Sequence, residues 1–408
     1  MEICDTTAIA AAASAHRSGS TRHLSYLDGN RDLRIDFIRG LAMLSVLAIH
    51  FEYLTPISFL FWERVGVVTG AELFVLCSGI AFGLARKRQL VERGLLAASS
   101  SAWYRAGQIY VVLITVSFAV QVLSLVPGVS MRELTSAHDS ITGISSSLFP
   151  SAGSSLELVF NDILMLKSSP HQIQVLGLYF FLLLLAPLPF AALRAGKIAL
   201  LLGISTALWL VGWYWKVRLT NSQFERSFPI LAWQLLFVYG MTLGFHWKAV
   251  SSWLVSKSTR HWRLLALVMT VVFAVFSWNH PLPSVPAEFT LHWIAPGKFM
   301  SLYQGWFSKS ELGPGRVVNL VALFIVLTSA LALLWTHGVS WVALALVPLG
   351  QVTLYIFTLH IVILGLFSQF KWHSSQGTVG EHLLLQALLA LLVTLAVRTR
   401  FLFSLIPR

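Results

Sequence analysis

The sequence predicts an all-α integral membrane protein, a single bundle of about 10 transmembrane helices, and three observations support this fold class. Only 11% of the 408 residues are charged, whereas 56% are hydrophobic. Soluble domains carry about 25% charged residues, so this surface has too few charges to face water on every side. Apolar stretches of spanning length recur along the chain, and the basic residues sort to one side of them. A soluble globular enzyme, a disordered chain and a fibrous protein are excluded.

Ten segments have the length and hydrophobicity that a spanning helix requires. They are about 36–55, 66–85, 103–127, 172–193, 197–215, 229–247, 262–278, 317–336, 350–370 and 381–399. We expect Pro187 and Pro189 to bend the fourth segment, which membrane helices tolerate. Residues 1–30 are expected to form a flexible cytoplasmic tail, and residues 31–408 a single transmembrane domain.

The net charge of +12 follows the positive-inside rule. If the N-terminus is cytoplasmic, most of the 29 Lys and Arg residues fall in cytoplasmic segments. This asymmetry predicts that both termini are cytoplasmic and that the number of spans is even. Because orientation accounts for most of the basic charge, we expect no nucleic-acid partner.

Two expected outer segments are long, about 128–171 and 279–316. Loops of this length are often functional, so they either cap a site at the outer face or form a packed plug without a ligand. The sequence has no Rossmann or P-loop glycine pattern and no close His/Cys cluster, so we predict no metal site.

The first predicted helix carries ionisable residues, which are costly in lipid and mark a functional site by default. Asp36, Arg39 and His50 lie on one face of it, because the eleven steps from Arg39 to His50 return to within about 20° and Asp36 lies about 60° away. The helical rise separates Arg39 from His50 by about 16 Å. We expect Arg39 near the cytoplasmic edge and His50 in the outer half of the membrane.

Glu72, in the second predicted helix, is expected at a depth similar to that of His50. A carboxylate beside a histidine fixes its tautomer and stabilises its cation, which suits a general base. A purely structural buried pair is the alternative. Gly79 and Gly83 share a face with Glu72 and allow a neighbouring backbone to approach closely.

Other polar residues extend this pattern. Arg105 and Gln108 share a face at the cytoplasmic edge of the third helix, where a solvated helix end is the alternative. His360, in the ninth helix, either lines the same cavity or is a hydrogen-bonded core histidine. The first long outer segment offers residues that either contact a polar acceptor or are solvated, namely Asn161, Asp162 and His171. Phosphates favour bidentate arginine sites, so a long phosphorylated donor could enter from the cytoplasm and an acceptor from outside.

Five stretches resemble the OpgC-type membrane acyltransferases, within the wider acyltransferase-3 superfamily. They are RDLRIDFIRGLAMLSVLAIH (31–50), GAELFVLCSG (70–79), SAWYRAGQIY (101–110), FPILAWQLLFVYGMTLG (228–244) and LGQVTLYIFTLHIVIL (349–364). Arg39 and His50 match the superfamily signature of an Arg, ten residues and a His. A comparable first-helix motif is found in the lysosomal heparan-glucosaminide acetyltransferase type.

The resemblance implies a bacterial inner-membrane protein with acyl-CoA as cytoplasmic donor and a glycan hydroxyl as acceptor. For OpgC proteins it implies succinylation of periplasmic glucans. It carries Arg39 to donor binding or positioning and His50 to catalysis, whereas the role of Glu72, to orient His50, is assigned from depth and chemistry. The expected donor-binding residues are Arg34, Asp36, Arg39, Arg105 and Gln108, with Arg86 or Arg88 as further candidates. Candidates to stabilise the thioester oxygen are Ser78, Gln108 and Tyr110.

Two other classes remain as alternatives. A transporter or flippase of a lipid-linked sugar or small anion would use the buried His and Glu as a proton relay. Inverted repeats or paired glycine-interrupted helices are typical of such proteins, and the sequence shows neither. A non-catalytic scaffold would make the charged stripe of the first helix dispensable. The choice between succinyl and acetyl, the acceptor glycan, direct transfer or acyl-enzyme, and the oligomeric state are left open.

Overall fold

A computed structural model describes residues 27–28, 31–51, 55–138, 145–151, 153–281, 287–370 and 377–407. These residues are mostly helical, with two short antiparallel hairpins. The expected all-helical architecture is therefore confirmed. The expected tail, residues 1–30, lies outside the described part of the chain apart from Leu27–Asp28.

The α-helices are numbered here in chain order. They are α1 Leu33–Ile49, α2 Pro56–Phe61, α3 Gly70–Glu92, α4 Gly94–Ser124, α5 Arg132–Thr135, α6 Leu156–Leu164, α7 Gln174–Leu184, α8 Pro187–Arg194, α9 Ile198–Trp215, α10 Ile230–Phe245, α11 Trp247–Val255, α12 Arg260–Ser277, α13 Pro296–Trp306, α14 Pro314–Leu334, α15 Ser340–Gln351, α16 Thr353–Phe367 and α17 Val379–Thr399. The hairpins pair β1 Leu27–Asp28 with β2 Arg31–Asp32, and β3 Ser136–His138 with β4 Ser145–Ser147. Short 3₁₀ turns are His171–Ile173, Gln223–Arg226, Lys257–Thr259 and Ala287–Phe289, and Trp335–Val339 is a π-helical turn.

Among the described residues, five helices are long and apolar enough to cross a membrane, or up to eight spans if each bent helix pair counts as one. These eight overlap the third to tenth expected spans. The first two expected spans overlap α1, which has 17 residues, and α3, which ends in a basic stretch, and neither helix is among these candidate spans. The total of ten spans and the cytoplasmic position of both termini remain predictions.

Hydrogen bonds from side-chain caps fix the residues at which α1 and α3 begin. The Asp32 carboxylate accepts a hydrogen bond from the backbone N–H of Arg34 at 3.0 Å, which satisfies a free donor in the first turn of α1. At the start of α3, the Glu72 carboxylate accepts from the backbone N–H of Thr69 at 2.9 Å, as in a capping box. Glu72 is thereby held at the positive end of the α3 dipole, which favours its charge.

Glycines bring α3 and α10 into backbone contact. A Cβ on Gly79 would lie 2.5 Å from the carbonyl oxygen of Phe237, and one on Gly83 would lie 2.2 Å from that of Met241. The partner helix repeats the pattern with Gly240 and Gly244, where a Cβ would lie 2.3 Å and 2.1 Å from carbonyl oxygens of α3. The close approach expected at Gly79 and Gly83 is confirmed, and its partner is a second pair of glycines at the same spacing.

Helix α1 packs against a broken helix. A Cβ on Gly40 would lie 2.0 Å from the carbonyl oxygen of Leu346, and one on Gly350 would lie 1.9 Å from that of Asp36. Directly after this contact the chain turns by 88° between α15 and α16. The break lies beside the ionisable residues of α1, so it brings Gln351 and Thr353 to them.

The two long outer segments contain structure that the hydropathy pattern did not reveal. The first includes α5, the β3–β4 hairpin and α6, and the second includes a 3₁₀ turn and α13. The elements in both segments are short or amphipathic, so neither segment contains a long apolar stretch.

Candidate active site

Arg39 is held in place by α1 and by the helix break. Its Nη1 lies 3.4 Å from Oδ1 of Asp36, and its Nη2 donates to Oγ1 of Thr353 at 3.2 Å. Asp36 also accepts from Nε of Arg31 at 2.7 Å and from Nε2 of Gln351 at 3.4 Å. Asp36 therefore positions Arg39, and the guanidinium keeps further donor atoms for a ligand.

A buried cavity of about 150 Å³ brings Arg39 and Arg105 together from α1 and α4. Ser78, Tyr179 and Thr353 add hydroxyl groups, and the rest of the lining is apolar, namely Phe74, Ala81, Phe82, Ile109, Leu176, Leu183, Phe237, Leu354 and Phe357. Sites that enclose a drug-sized ligand measure about 300–1,000 Å³. This cavity can therefore take a small group, such as the end of a donor, but not a nucleotide.

A basic cleft of about 540 Å³ lies where α3 ends and α4 begins. It is lined by Ala85, Arg86, Arg88, Gln89, Glu92, Arg93 and Ser101. Nη1 of Arg86 donates to Gln89 at 3.1 Å. Arg105 donates to Oε1 of Gln108 at 3.0 Å and is within electrostatic range of both Arg39 and Arg86. Cationic groups thus continue from the cleft to the buried cavity.

His50 and His360 form a pair between α1 and α16. Nδ1 of His50 lies 3.1 Å from Nε2 of His360, and the rings are stacked with centroids 5.3 Å apart. His360 is fully buried, and its Nδ1 lies 3.1 Å from the carbonyl oxygen of Ile356. His171 packs edge-on against His50, with centroids 6.2 Å apart. His360 is therefore a hydrogen-bonded core histidine that also contacts His50, and it is not among the described residues that line the Arg39 cavity.

The histidine pair and the Arg39 cavity are neighbours with an aromatic residue between them. Phe357 lines the cavity and packs against His360, with ring centroids 5.9 Å apart. Phe74 packs on Phe357 at 5.4 Å. His50 itself is not among the described residues that line the Arg39 cavity.

The expected pairing of Glu72 with His50 is wrong. The Glu72 carboxylate accepts from Oγ1 of Thr69 at 2.5 Å and from Nη1 of Arg316 at 2.6 Å. The N-cap of α3 and an arginine from α14 hold Glu72 instead. Its expected role in orienting His50 therefore loses its geometric basis.

Arg34 also differs from its expected place in the donor site. It is fully buried and binds Asp32 through two nitrogens, with Nη2 at 2.6 Å from Oδ2. The same Nη2 donates to Ser251 at 2.7 Å, and Trp247 donates to Asp32 at 2.9 Å. These contacts join the start of α1 to α11. Arg34 therefore holds two helices together and does not line the Arg39 cavity.

A buried ionic cluster that joins α3, α13 and α14 escaped the sequence analysis. Arg316 lies between Glu63 and Glu72 and donates to the Tyr303 hydroxyl at 2.6 Å. Nδ1 of His280 lies 3.8 Å from Oε2 of Glu63. Burial lowers the pKa of His280 although Glu63 opposes this shift, so the ring is neutral at physiological pH. The sequence could have indicated such a cluster, because a carboxylate buried in the membrane, as expected for Glu72, requires a cationic partner.

Other candidates lie apart from the cavity. The Tyr110 hydroxyl donates to the carbonyl oxygen of Leu164 at 2.9 Å, so it faces the first outer segment. Asp162 lies 3.9 Å from the ammonium of Lys167. Of the residues considered for the thioester oxygen, Ser78 lines the cavity.

A family model described as OpgC protein matches residues 31–404, nearly the whole chain. The matched range includes Arg39, Arg105, His50 and His360. No curated protein and no solved structure matches the chain.

Proposed function

We propose that this chain, which belongs to the OpgC family, is a membrane O-acyltransferase of the bacterial inner membrane. It takes a succinyl or acetyl group from cytoplasmic acyl-CoA and transfers it to a hydroxyl of a periplasmic glucan or another extracytoplasmic glycan. The observation that carries the proposal is the buried cavity shared by Arg39 and Arg105, with the His50–His360 pair beyond it.

The arginines suit the phosphates of the donor. Guanidinium groups bind phosphate oxygens in a bidentate manner. The basic cleft at Arg86, Arg88 and Arg93 is the larger of the two and its lining is mostly exposed, whereas the smaller Arg39 cavity is lined mostly by buried residues. We assign the nucleotide of acyl-CoA to the cleft and its acyl arm to the cavity. Arg39 and Arg105 then bind the diphosphate oxygens where the cleft meets the cavity.

His50 is the general base in the proposed reaction. Its imidazole removes the proton of an acceptor hydroxyl while that oxygen attacks the thioester carbonyl carbon. The C–O bond forms, the C–S bond breaks, and the leaving sulfur takes the proton from His50. General-base help of this kind contributes about 10²–10⁴-fold to the rate. Ser78 is the candidate donor to the carbonyl oxygen, because it lines the cavity.

Reconstitution of the purified protein tests this function. The protein in liposomes is supplied with radiolabelled succinyl-CoA or acetyl-CoA and a glucan, and label transfer to the glucan is measured. We expect His50→Ala to lose about 10²–10⁴-fold in rate, whereas His261→Ala, at an exposed position on α12, keeps the wild-type rate. Equal rates in folded His50→Ala and wild type would contradict the assigned base. Absence of transfer from every acyl-CoA offered would contradict the enzyme class.

A further inference from the structure

We infer that His360 is a positioning residue that fixes the tautomer of His50 and leaves Nε2 of His50 free to take a proton. The inference rests on the proposed function, in which His50 is the general base. It starts from the hydrogen bond between the imidazoles of His50 and His360, which lie on different helices. The spacing of Arg39 and His50 in the sequence does not predict this contact.

A hydrogen bond within α16 shows which ring nitrogen of His360 is protonated. Nδ1 of His360 lies 3.1 Å from the carbonyl oxygen of Ile356, one turn earlier in α16. A carbonyl oxygen only accepts hydrogen bonds, so Nδ1 carries the hydrogen. The ring is 0% exposed, and burying a charge without an ionic partner is strongly unfavourable. The ring is therefore neutral, and its Nε2 is an acceptor.

The protonated nitrogen of His50 can then be deduced from its hydrogen bond to His360. Nε2 of His360 accepts, so Nδ1 of His50, at 3.1 Å, is the donor. A neutral imidazole carries one hydrogen, and Nε2 of His50 therefore keeps its lone pair. The two rings are inclined by only 23°, and His171 packs on His50 edge-on at 74°. Rotation of the His50 ring would break the hydrogen bond and disturb both contacts.

The same contact stabilises the product of proton transfer. When Nε2 of His50 takes the proton, the bond from its Nδ1 to His360 becomes charge-assisted, which makes it about twice as strong. In many hydrolases a carboxylate has this role. Here Glu72 is bound to Arg316 and Thr69, and an imidazole of α16 occupies the orienting position.

Two substitutions of His360 separate this role from packing. In His360→Gln the side-chain amide oxygen keeps an acceptor near the position of Nε2, whereas His360→Leu fills similar volume without an acceptor. Solid-state NMR of protein labelled with ¹⁵N-histidine reports which nitrogen of His50 is protonated, and the His50 signals are identified by their loss in His50→Gln. We expect the Nδ1-protonated form in wild type and His360→Gln, and a mixture of tautomers in His360→Leu.

Kinetics supply the second readout. We expect His360→Leu to lower kcat by about 10²–10⁴-fold with an unchanged KM for acyl-CoA, and His360→Gln to restore most of that loss. His261→Leu, at an exposed position, is the matched control and keeps the wild-type kcat. A wild-type kcat in folded His360→Leu overturns the inference.

The spectra distinguish failure of this inference from failure of the proposed function. The tautomer is measured without turnover, so activity that survives in His50→Ala contradicts the assigned base and leaves the tautomer result intact. An Nε2-protonated His50 in the wild-type spectrum overturns the inference even if the protein is an active acyltransferase. If His360→Leu does not fold, judged by thermal unfolding, the wild-type and His360→Gln spectra decide.

Discussion

At the residue scale, side chains on one helix could be placed from the sequence, but their partners on other helices could not. Helical periodicity put Asp36 and Arg39 on one face, and the structure joins them at 3.4 Å. The partner of Glu72 is Arg316, 244 positions along the chain. Hydropathy gives the depth of a residue but not which helix ends meet, so depth alone suggested His50 for Glu72.

Arg39→Lys tests whether a planar guanidinium holds the donor. Lysine keeps the positive charge but cannot bind a phosphate in a bidentate manner. Loss of one charge-assisted hydrogen bond is worth about 1.5–3 kcal/mol, so we expect CoA to bind at least tenfold more weakly in an equilibrium titration. Arg260→Lys, exposed on α12, should bind CoA as wild type does. Unchanged affinity in Arg39→Lys would remove Arg39 from the donor site.

Arg316→Met tests the buried ionic cluster of Arg316, Glu63 and Glu72. Arg316 and Glu72 have fully buried side chains, so this substitution leaves Glu63 and Glu72 without their cation. Breaking a buried ion pair costs about 3–5 kcal/mol, and we expect a clear fall in Tm in detergent. Arg88→Met is the control, because its ion pair with Glu92 is largely exposed and worth at most about 1 kcal/mol. A similar Tm for both variants would show that the cluster does not stabilise the fold.

At the element scale, the apolar stretches coincide with the candidate membrane spans. The bend expected at Pro187 and Pro189 is confirmed, at 47° between α7 and α8, but the other two breaks were not predicted. Hydropathy depends on the length and apolarity of a segment, and the bends of 47°, 87° and 88° leave both quantities nearly unchanged. The chain from α15 to α16 read as one apolar run, although Val352 separates two helices. The glycine contact was predicted from α3 alone, and α10 could be named only from the structure.

Gly83→Ala tests the contact between α3 and α10. The added methyl group would lie 2.2 Å from the carbonyl oxygen of Met241, so the helices must separate, and overpacking of this kind costs about 1–3 kcal/mol. Gly107→Ala is the control, because a Cβ on that helical glycine meets nothing within 4 Å and alanine favours helix by about 1 kcal/mol. We expect Tm to fall in the first variant and to stay or rise in the second. A rise in both would show that the contact is loose.

At the scale of the whole molecule, composition alone predicted the membrane class, because 11% charged residues cannot cover a soluble surface of this size. Orientation was predicted from the distribution of Lys and Arg. The geometry of the site could not be predicted at this scale, because it depends on how α1, α4 and α16 meet around one cavity.

Reporter fusions test the orientation. We expect alkaline phosphatase fused after Arg408 to be inactive, since the positive-inside rule places the C-terminus in the cytoplasm. The same enzyme fused after Gly128, beyond the end of α4 at Ser124, is expected to be active in the periplasm. High phosphatase activity at Arg408 with low activity at Gly128 would reverse the predicted topology and place the basic cleft on the wrong side for a cytoplasmic donor.

The break before α16 has a consequence for the choice of donor. Thr353, the first residue of this helix, touches Arg39, and His360, seven residues later, touches His50. A helix rises about 1.5 Å per residue, so α16 separates these two contacts by about 10 Å. In the proposed function, one rigid segment thus sets the distance between the contact that would anchor the donor and the histidine pair at which it would react. We expect donors with a shortened arm to bind without reacting, because their thioester stops short of the histidine pair.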